Sequence, residues 1–241
     1  MRESESSADF PPDSKIEVFH SPTSTEEIES QLVAGFYRQP ENYESALFSE
    51  KVDYKLAGFL QSSFYNLGIK SGRVLDLGCG PGIVADAIRA LPEGDFRLDG
   101  VDISKEMLEY ALREKNYDKG YLGRIEDVVP VIAQRGMLYD YSVALSSIYY
   151  LRNPLPVIKR LFEINQKGFA ISLDEITDDY IKRIHEYTGE KVPLFNHVGL
   201  LNDLQLPDGW RIADQIYGPA WRSPRVEDEI NAELVTLIRD Q

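Results

Sequence analysis

The stretch Arg73–Gly82 reads R-V-L-D-L-G-C-G-P-G, placing Asp76 two residues ahead of glycines at 78, 80 and 82. A short apolar run ends at Leu77, and the apolar positions from Ile83 onward repeat at helical spacing, so the glycines lie in a strand-to-helix turn. Such a turn lets a ligand approach the backbone without interference from Cβ atoms. The helix start beyond it presents unpaired N–H groups toward negative charge. A dinucleotide site of the G-x-G-x-x-G type needs its third glycine at position 83, and position 83 is Ile. The observed G-x-G-x-G register instead suits a ligand that lacks a pyrophosphate and carries an amine for Asp76 to attract. The amino-acid end of S-adenosylmethionine meets that description.

Twenty residues after Gly82, the run L-D-G-V-D-I-S ends a second strand at Asp102. An acid in that place accepts hydrogen bonds from ribose hydroxyls, whether of NAD or of the methyl donor, and the glycine register separates the two.

The elements that must hold these residues follow from periodicity. Strands are expected at Arg73–Leu77, Arg97–Asp102, Gly120–Gly123, Leu138–Leu145 and Gly168–Asp174. Helices are expected between them at Ile83–Leu91, Lys105–Lys115, Val128–Arg135 and Pro154–Ile164. This alternation predicts a parallel sheet covered on both faces. Ahead of it, Ser24-Thr25-Glu26-Glu27 reads as a capping box opening a helix with Ile28, Leu32 and Phe36 on one face. Val52, Leu56, Phe59, Leu60, Phe64 and Leu67 form a second helical face, with Gly68 as its stop. Toward the end, Trp210–Tyr217 alternates like a strand. Leu234–Ile238 reads equally as a strand or as part of a terminal helix.

VLDLGCGPG followed by VDISKEMLEYA resembles the class I S-adenosylmethionine-dependent methyltransferases, and the resemblance spans roughly Ser71 to Asp174. It implies an α/β three-layer α-β-α sandwich around a seven-stranded, mostly parallel sheet whose last strand is antiparallel. Glu233–Arg239 then becomes a final strand paired with Trp210–Tyr217. It also implies S-adenosylmethionine as cofactor, with Asp76, Gly78, Cys79, Gly80 and Gly82 in the loop around the methionine portion. Asp102 takes the ribose hydroxyls, Ile103 and Met107 give apolar contact near the adenine, and Ile125 lines its other face. Relatives often carry Gly-Asp in the third motif, where this chain has Gly123-Arg124. Either the acid beside the adenine amine is Glu126 or Asp127, or a backbone group serves in its place.

The acceptor side is read from composition. The segments expected on the substrate rim carry Tyr37, Tyr43, Tyr149, Tyr150, Tyr217 and Trp221, an aromatic set suited to a small organic molecule. His185 and His197 are equally available as a general base, and His197 is also read as a substrate contact, while no catalytic residue is assigned. Arg222 and Arg225 are read as parts of a solvated loop. No metal site is expected, because the turn after the fourth strand is Ala144-Leu145-Ser146 rather than acidic.

The chain of 241 residues has 26 Lys+Arg against 40 Asp+Glu, a net charge of -14. That balance argues against nucleic-acid backbones and anionic membrane surfaces as partners and leaves a small-molecule acceptor. A lone cysteine and the absence of an apolar leader or spanning segment point to the cytoplasm. Residues 1–30 hold eight acids and two bases, and 1–22 reads as a disordered acidic tail. The remaining 23–241 forms one domain, with a helical cap at 23–70, a cofactor core at 71–174 and a substrate-side segment at 175–241. Two rivals share the fold: a cyclase or isomerase using the cofactor without methyl transfer, and a non-catalytic cofactor-binding protein.

Overall fold

The computed structural model describes residues 15–19, 39–202, 204–223 and 225–240. The first strand of the glycine motif, β2 (Ser71–Leu77), lies in the interior of one sheet. It is flanked by β3 (Asp95–Asp102) and β5 (Tyr139–Ala144), both parallel to it. β4 (Lys119–Leu122) and β1 (Ile16–Val18) extend the sheet beyond β3. On the other side come β6 (Asn165–Asp174), β8 (Glu229–Arg239) and β7 (Trp210–Arg222). The order is β1-β4-β3-β2-β5-β6-β8-β7, and β8 runs antiparallel to both of its neighbours.

Helices cover both faces as the alternation predicts. Alternate residues of each strand face opposite ways, so Val74 and Leu98 join one core while Leu75 and Val101 join the other. The first core is closed by α2 (Leu56–Asn66), α3 (Ile83–Arg89) and α4 (Lys105–Glu114). The second is closed by α5 (Ile125–Gln134) and α6 (Leu155–Ile164). α1 (Pro40–Leu47) and α7 (Asp178–Thr188), neither of them expected from periodicity, pack on the carboxyl rim of the sheet. α7 opens on Thr177, whose hydroxyl accepts from the backbone N–H of Tyr180.

Among the described residues the sheet has eight strands rather than the expected seven. The additional one is β1, inside the stretch read as a tail, with Ile16 to Val18 in parallel register with Gly120 to Leu122. Its acid is matched by local cations, Glu17 pairing with Lys119 at 2.9 Å and with Arg135. The helix expected at Ile28–Phe36 lies outside the described residues. The ambiguous C-terminal run is a strand, and its partner continues to Arg222, beyond the expected end at Tyr217. Among the described residues no helix is long and apolar enough to cross a membrane.

Candidate functional site

The chain reverses direction at the carboxyl end of β2, and the reversal opens a cleft lined by residues of the glycine loop and of the strand ends on either side of it. Gly78 has φ +73, and a Cβ there would lie 2.5 Å from the Ser147 Cβ, so only glycine fits. At Gly80 a Cβ would meet nothing within 4 Å, which leaves space above the loop. Gly82 caps α3 in the left-handed conformation and lies behind the cleft, against Lys115 and Tyr117. Cys79 lines the cleft, but burial pushes its thiol pKa well up and suppresses the thiolate.

Two buried acids face this space. Asp102, at the end of β3, accepts from the backbone N–H groups of Gly80 at 2.7 Å and Ser104 at 2.8 Å. One carboxylate thus fixes both the glycine loop and the start of α4. Burial raises its pKa to about 6 against those donors. Asp76 is 1% exposed and takes one hydrogen bond, from the Tyr117 hydroxyl to Oδ2 at 2.6 Å. Its Oδ1 has no protein partner, and burial, with the Asp102 charge adding to it, pushes the carboxyl up to about 7. A buried carboxylate with one open oxygen at the edge of a cleft is a receptor for a cation or hydrogen-bond donor.

The cleft extends to both sides of the loop. Beyond β3 and β4 it is lined by Ile103, Met107, Ile125 and Glu126, together with Gly123 and Arg124. Arg124 pairs with Glu126 at 2.7 Å, so the acid on this side is held by the residue that replaces the expected aspartate. Asp127 is in the first turn of α5 and does not line the cleft. Beyond β5 the wall comprises Leu145, Ser146, Ser147, Tyr150 and Leu151, with Pro193, Tyr43, Leu47 and Tyr54 contributed from elsewhere in the chain. α1 holds Tyr43 and Leu47 in place through Glu44, which accepts from Tyr110 at 2.6 Å and from Lys115 at 2.5 Å.

Several residues read as substrate contacts are placed differently. Tyr37 lies outside the described residues. Tyr149 is buried beside the cleft, its ring against Tyr150 and Trp221. Trp221 does not line the cleft; its indole N–H donates to Asp174 at 2.7 Å. His197 donates from Nε2 to the Leu151 carbonyl at 2.7 Å, and burial lowers its pKa, so it supports the loop from behind. His185 likewise engages the Val192 carbonyl. Aromatic composition marked the rim but carried no information on which way each ring turns. Tyr54, Tyr117, Ser146 and Asp174 escaped sequence reading because each acquires its role through a contact distant along the chain. Among the described residues no cluster of His, Cys, Asp and Glu is placed to hold a metal.

A glycine loop between two buried acids, at the point where chain order in a parallel sheet reverses, defines a Rossmann-like nucleoside-binding domain. The chain belongs to the methyltransferase-domain family, whose model matches residues 48–229, and its fold is that of the class I S-adenosylmethionine-dependent methyltransferases. It is 26% identical over 93 residues to juvenile hormone acid O-methyltransferase of Bombyx mori, covering 38% of this chain and 34% of that one. It is 29% identical over 129 residues to ribosomal protein L11 methyltransferase of Vibrio cholerae, covering 54% and 42%. These matches span well under half the length of either relative. Magnesium protoporphyrin IX methyltransferase from Synechocystis PCC 6803, solved with bound SAH, superposes with a TM-score of 0.60 at 14% identity, covering 88% of this chain and all of that one.

S-adenosylmethionine fits the residues present. The open Oδ1 of Asp76 matches its amine, the space over Gly80 admits its chain, and Asp102 with the Ile103, Met107 and Ile125 side chains matches a nucleoside.

Proposed function

We propose that this chain transfers a methyl group from S-adenosylmethionine to an oxygen or nitrogen of a small organic molecule in the cytoplasm. The observation that carries this reading is the contrast between the two sides of one cleft. On one side of the loop are the acids and apolar residues suited to a nucleoside with a cationic tail. On the other is a wall of Tyr43, Tyr54, Tyr150, Leu145, Ser146 and Ser147 without a formal charge. Such a wall suits a compact, largely apolar acceptor with a few hydrogen-bonding groups.

The cofactor supplies a methyl group on a sulfonium, which is already activated for transfer. The protein's share is therefore mainly positional. Asp76 and Asp102 anchor one partner, α1 closes over the loop through the Glu44–Lys115 pair, and the rings of the far wall hold the other partner and exclude water. Arg124 is the cation lining the cleft among the described residues, and it is paired, so no basic track for a phosphate backbone runs through the site. Juvenile hormone acid and magnesium protoporphyrin IX, named in two of the relatives, are small molecules; ribosomal protein L11, named in the third, is not.

The test is product mass. Incubation with S-adenosylmethionine and a fractionated metabolite extract is expected to give a product heavier by one CH2 unit, with one S-adenosylhomocysteine formed per product. Rearrangement of a compound without S-adenosylhomocysteine overturns the reading in favour of cofactor-assisted isomerisation. Modification of ribosomal protein alone overturns the small-molecule assignment.

A further inference from the structure

Behind the far wall of the cleft sits a buried acid that the cofactor does not account for. Asp174 is the last residue of β6, is 1% exposed, and accepts three hydrogen bonds. The Trp221 indole N–H and the Ser146 hydroxyl both reach Oδ2, at 2.7 and 2.8 Å, and the Ser172 hydroxyl reaches Oδ1 at 2.7 Å. Ser172 in turn accepts from the backbone N–H of Ser146 at 2.7 Å.

The polarity of this cluster is determined by its members. An indole N–H only donates, and an ionised carboxylate only accepts. Ser172 accepts from an N–H, so its own proton goes to Asp174. Ser146 likewise directs its one proton inward. What Ser146 turns to the cleft is therefore lone-pair density, which accepts from the Tyr54 hydroxyl at 3.4 Å, a long bond that a donor on the acceptor can join or displace. Ser146 is also held with φ +50, a left-handed backbone rarely adopted by a residue with a side chain. Burial raises the Asp174 pKa while its three donors oppose the rise.

We propose that Ser146, oriented by Asp174, is the point at which the cleft recognises its acceptor, and that it requires an uncharged hydrogen-bond donor, a hydroxyl or an N–H group. The inference rests on the methyltransferase reading and narrows it. A carboxylate is disfavoured twice: it has no proton to give to Ser146, and it meets the Asp174 charge beneath. Arg124, the cleft's cation among the described residues, lies across the glycine loop beyond β3 and is paired with Glu126, so it does not compensate. Within this arrangement Ser146 is the recognition residue and Asp174 a positioning residue.

The chain has two tryptophans, which give a built-in reporter and control. The Trp221 N–H shares an Asp174 oxygen with Ser146, whereas Trp210 packs in the other core against Phe162 and Phe169. In the full-length 15N-labelled protein saturated with S-adenosylhomocysteine, the two indole resonances are followed while phenol, aniline, anisole or benzoate is added. Phenol and aniline are expected to shift the Trp221 signal saturably and leave Trp210 in place, and anisole and benzoate to move neither. Ser146→Ala, or Ser146→Gly should the alanine variant not fold, is expected to weaken phenol binding by roughly tenfold, one neutral hydrogen bond. Asp174→Asn keeps an oxygen toward Trp221 and Ser146, so it is expected to retain the phenol preference that a merely destabilised site loses. The inference is overturned if anisole or benzoate shifts Trp221 as phenol does, if phenol and aniline shift nothing, or if the Ser146 variants respond like the parent. Failure of S-adenosylhomocysteine to saturate the protein, checked first by calorimetry, sinks the methyltransferase reading itself; saturation with no phenol response sinks only the inference.

Discussion

The Tyr117 hydroxyl donates to Oδ2 of Asp76 at 2.6 Å, and both side chains are sealed from solvent beneath the glycine loop. This bond is the main force opposing burial at Asp76 and so sets how much carboxylate is available to the cofactor. Tyr117→Phe removes it and leaves a buried acid without protein partners. The Asp76 pKa is expected to rise further, stability to fall by about 1–3 kcal/mol, and affinity for S-adenosylmethionine near neutral pH to fall with it. Paired denaturant melts and calorimetric titrations of the two proteins check this. An unchanged affinity would mean that Asp76 takes no part in binding.

Opposite pH trends are expected with and without ligand. Asp76 and Asp102 are raised from 3.8 to about 7 and about 6, so across that interval the folded protein holds more protons than the unfolded chain. The stability these acids contribute to the unliganded protein is therefore fully present below 3.8 and is lost as pH rises toward about 7. Cofactor affinity runs the other way, because an ammonium group binds the ionised form of Asp76. Thermal melts should show the unliganded midpoint falling, and the gap to the liganded midpoint widening, as pH rises through this range. Calorimetry in buffers of different ionisation enthalpy should show proton release on binding. Both signatures are expected to shrink in Asp76→Asn.

At the loop itself, a single methyl group is a severe perturbation. The Cβ of Gly78→Ala would fall 2.5 Å from the Ser147 Cβ on a backbone with φ +73. The loop must shift or the Ser147 bond to the Leu77 carbonyl must break. A loss of about 2–4 kcal/mol in stability is expected. By contrast, Gly80→Ala meets no neighbour, so its cost is confined to the left-handed backbone at φ +50, about 1 kcal/mol, and it should weaken cofactor binding more than folding, a separation that melts and titrations together reveal.

Asp102→Asn is expected to weaken S-adenosylmethionine by about 1.5–3 kcal/mol, the worth of hydrogen bonds to a charged acceptor. The effect has two sources, since the same carboxylate holds the Gly80 N–H and faces the cleft. A variant that binds the cofactor like the parent would remove Asp102 from the site.

The β-α alternation and the glycine loop were legible because both are local. Strand and helix periods show in windows of ten residues, and Asp76, Gly78, Gly80 and Asp102 occupy fixed offsets around one turn. What stayed hidden depends on distant partners. Tyr117 lies 41 residues from Asp76, and Tyr54 lies 92 from Ser146. β1 was masked by composition, because an acidic, serine-rich stretch reads as solvated until Lys119 and Arg135 are placed beside Glu17. α1 escaped for a related reason: its apolar side is short, chiefly Tyr43 and Leu47, and its place on the rim is completed by Glu44 meeting Tyr110 and Lys115. The directions of the aromatic rings depend on distant partners too. Tyr149 and Trp221 turn into the packing behind the cleft, which composition does not encode.

The central claim is that the cleft over Asp76 and Asp102 binds S-adenosylmethionine. Calorimetric titration of the full-length chain with S-adenosylmethionine and S-adenosylhomocysteine, near neutral pH and repeated with Asp102→Ala, tests it most directly. Binding of both ligands with Kd well below about 1 mM, weakened at least about tenfold by the substitution, is the predicted result. No binding of either ligand below about 1 mM, in a protein whose stability Asp102→Ala leaves unchanged, would contradict it.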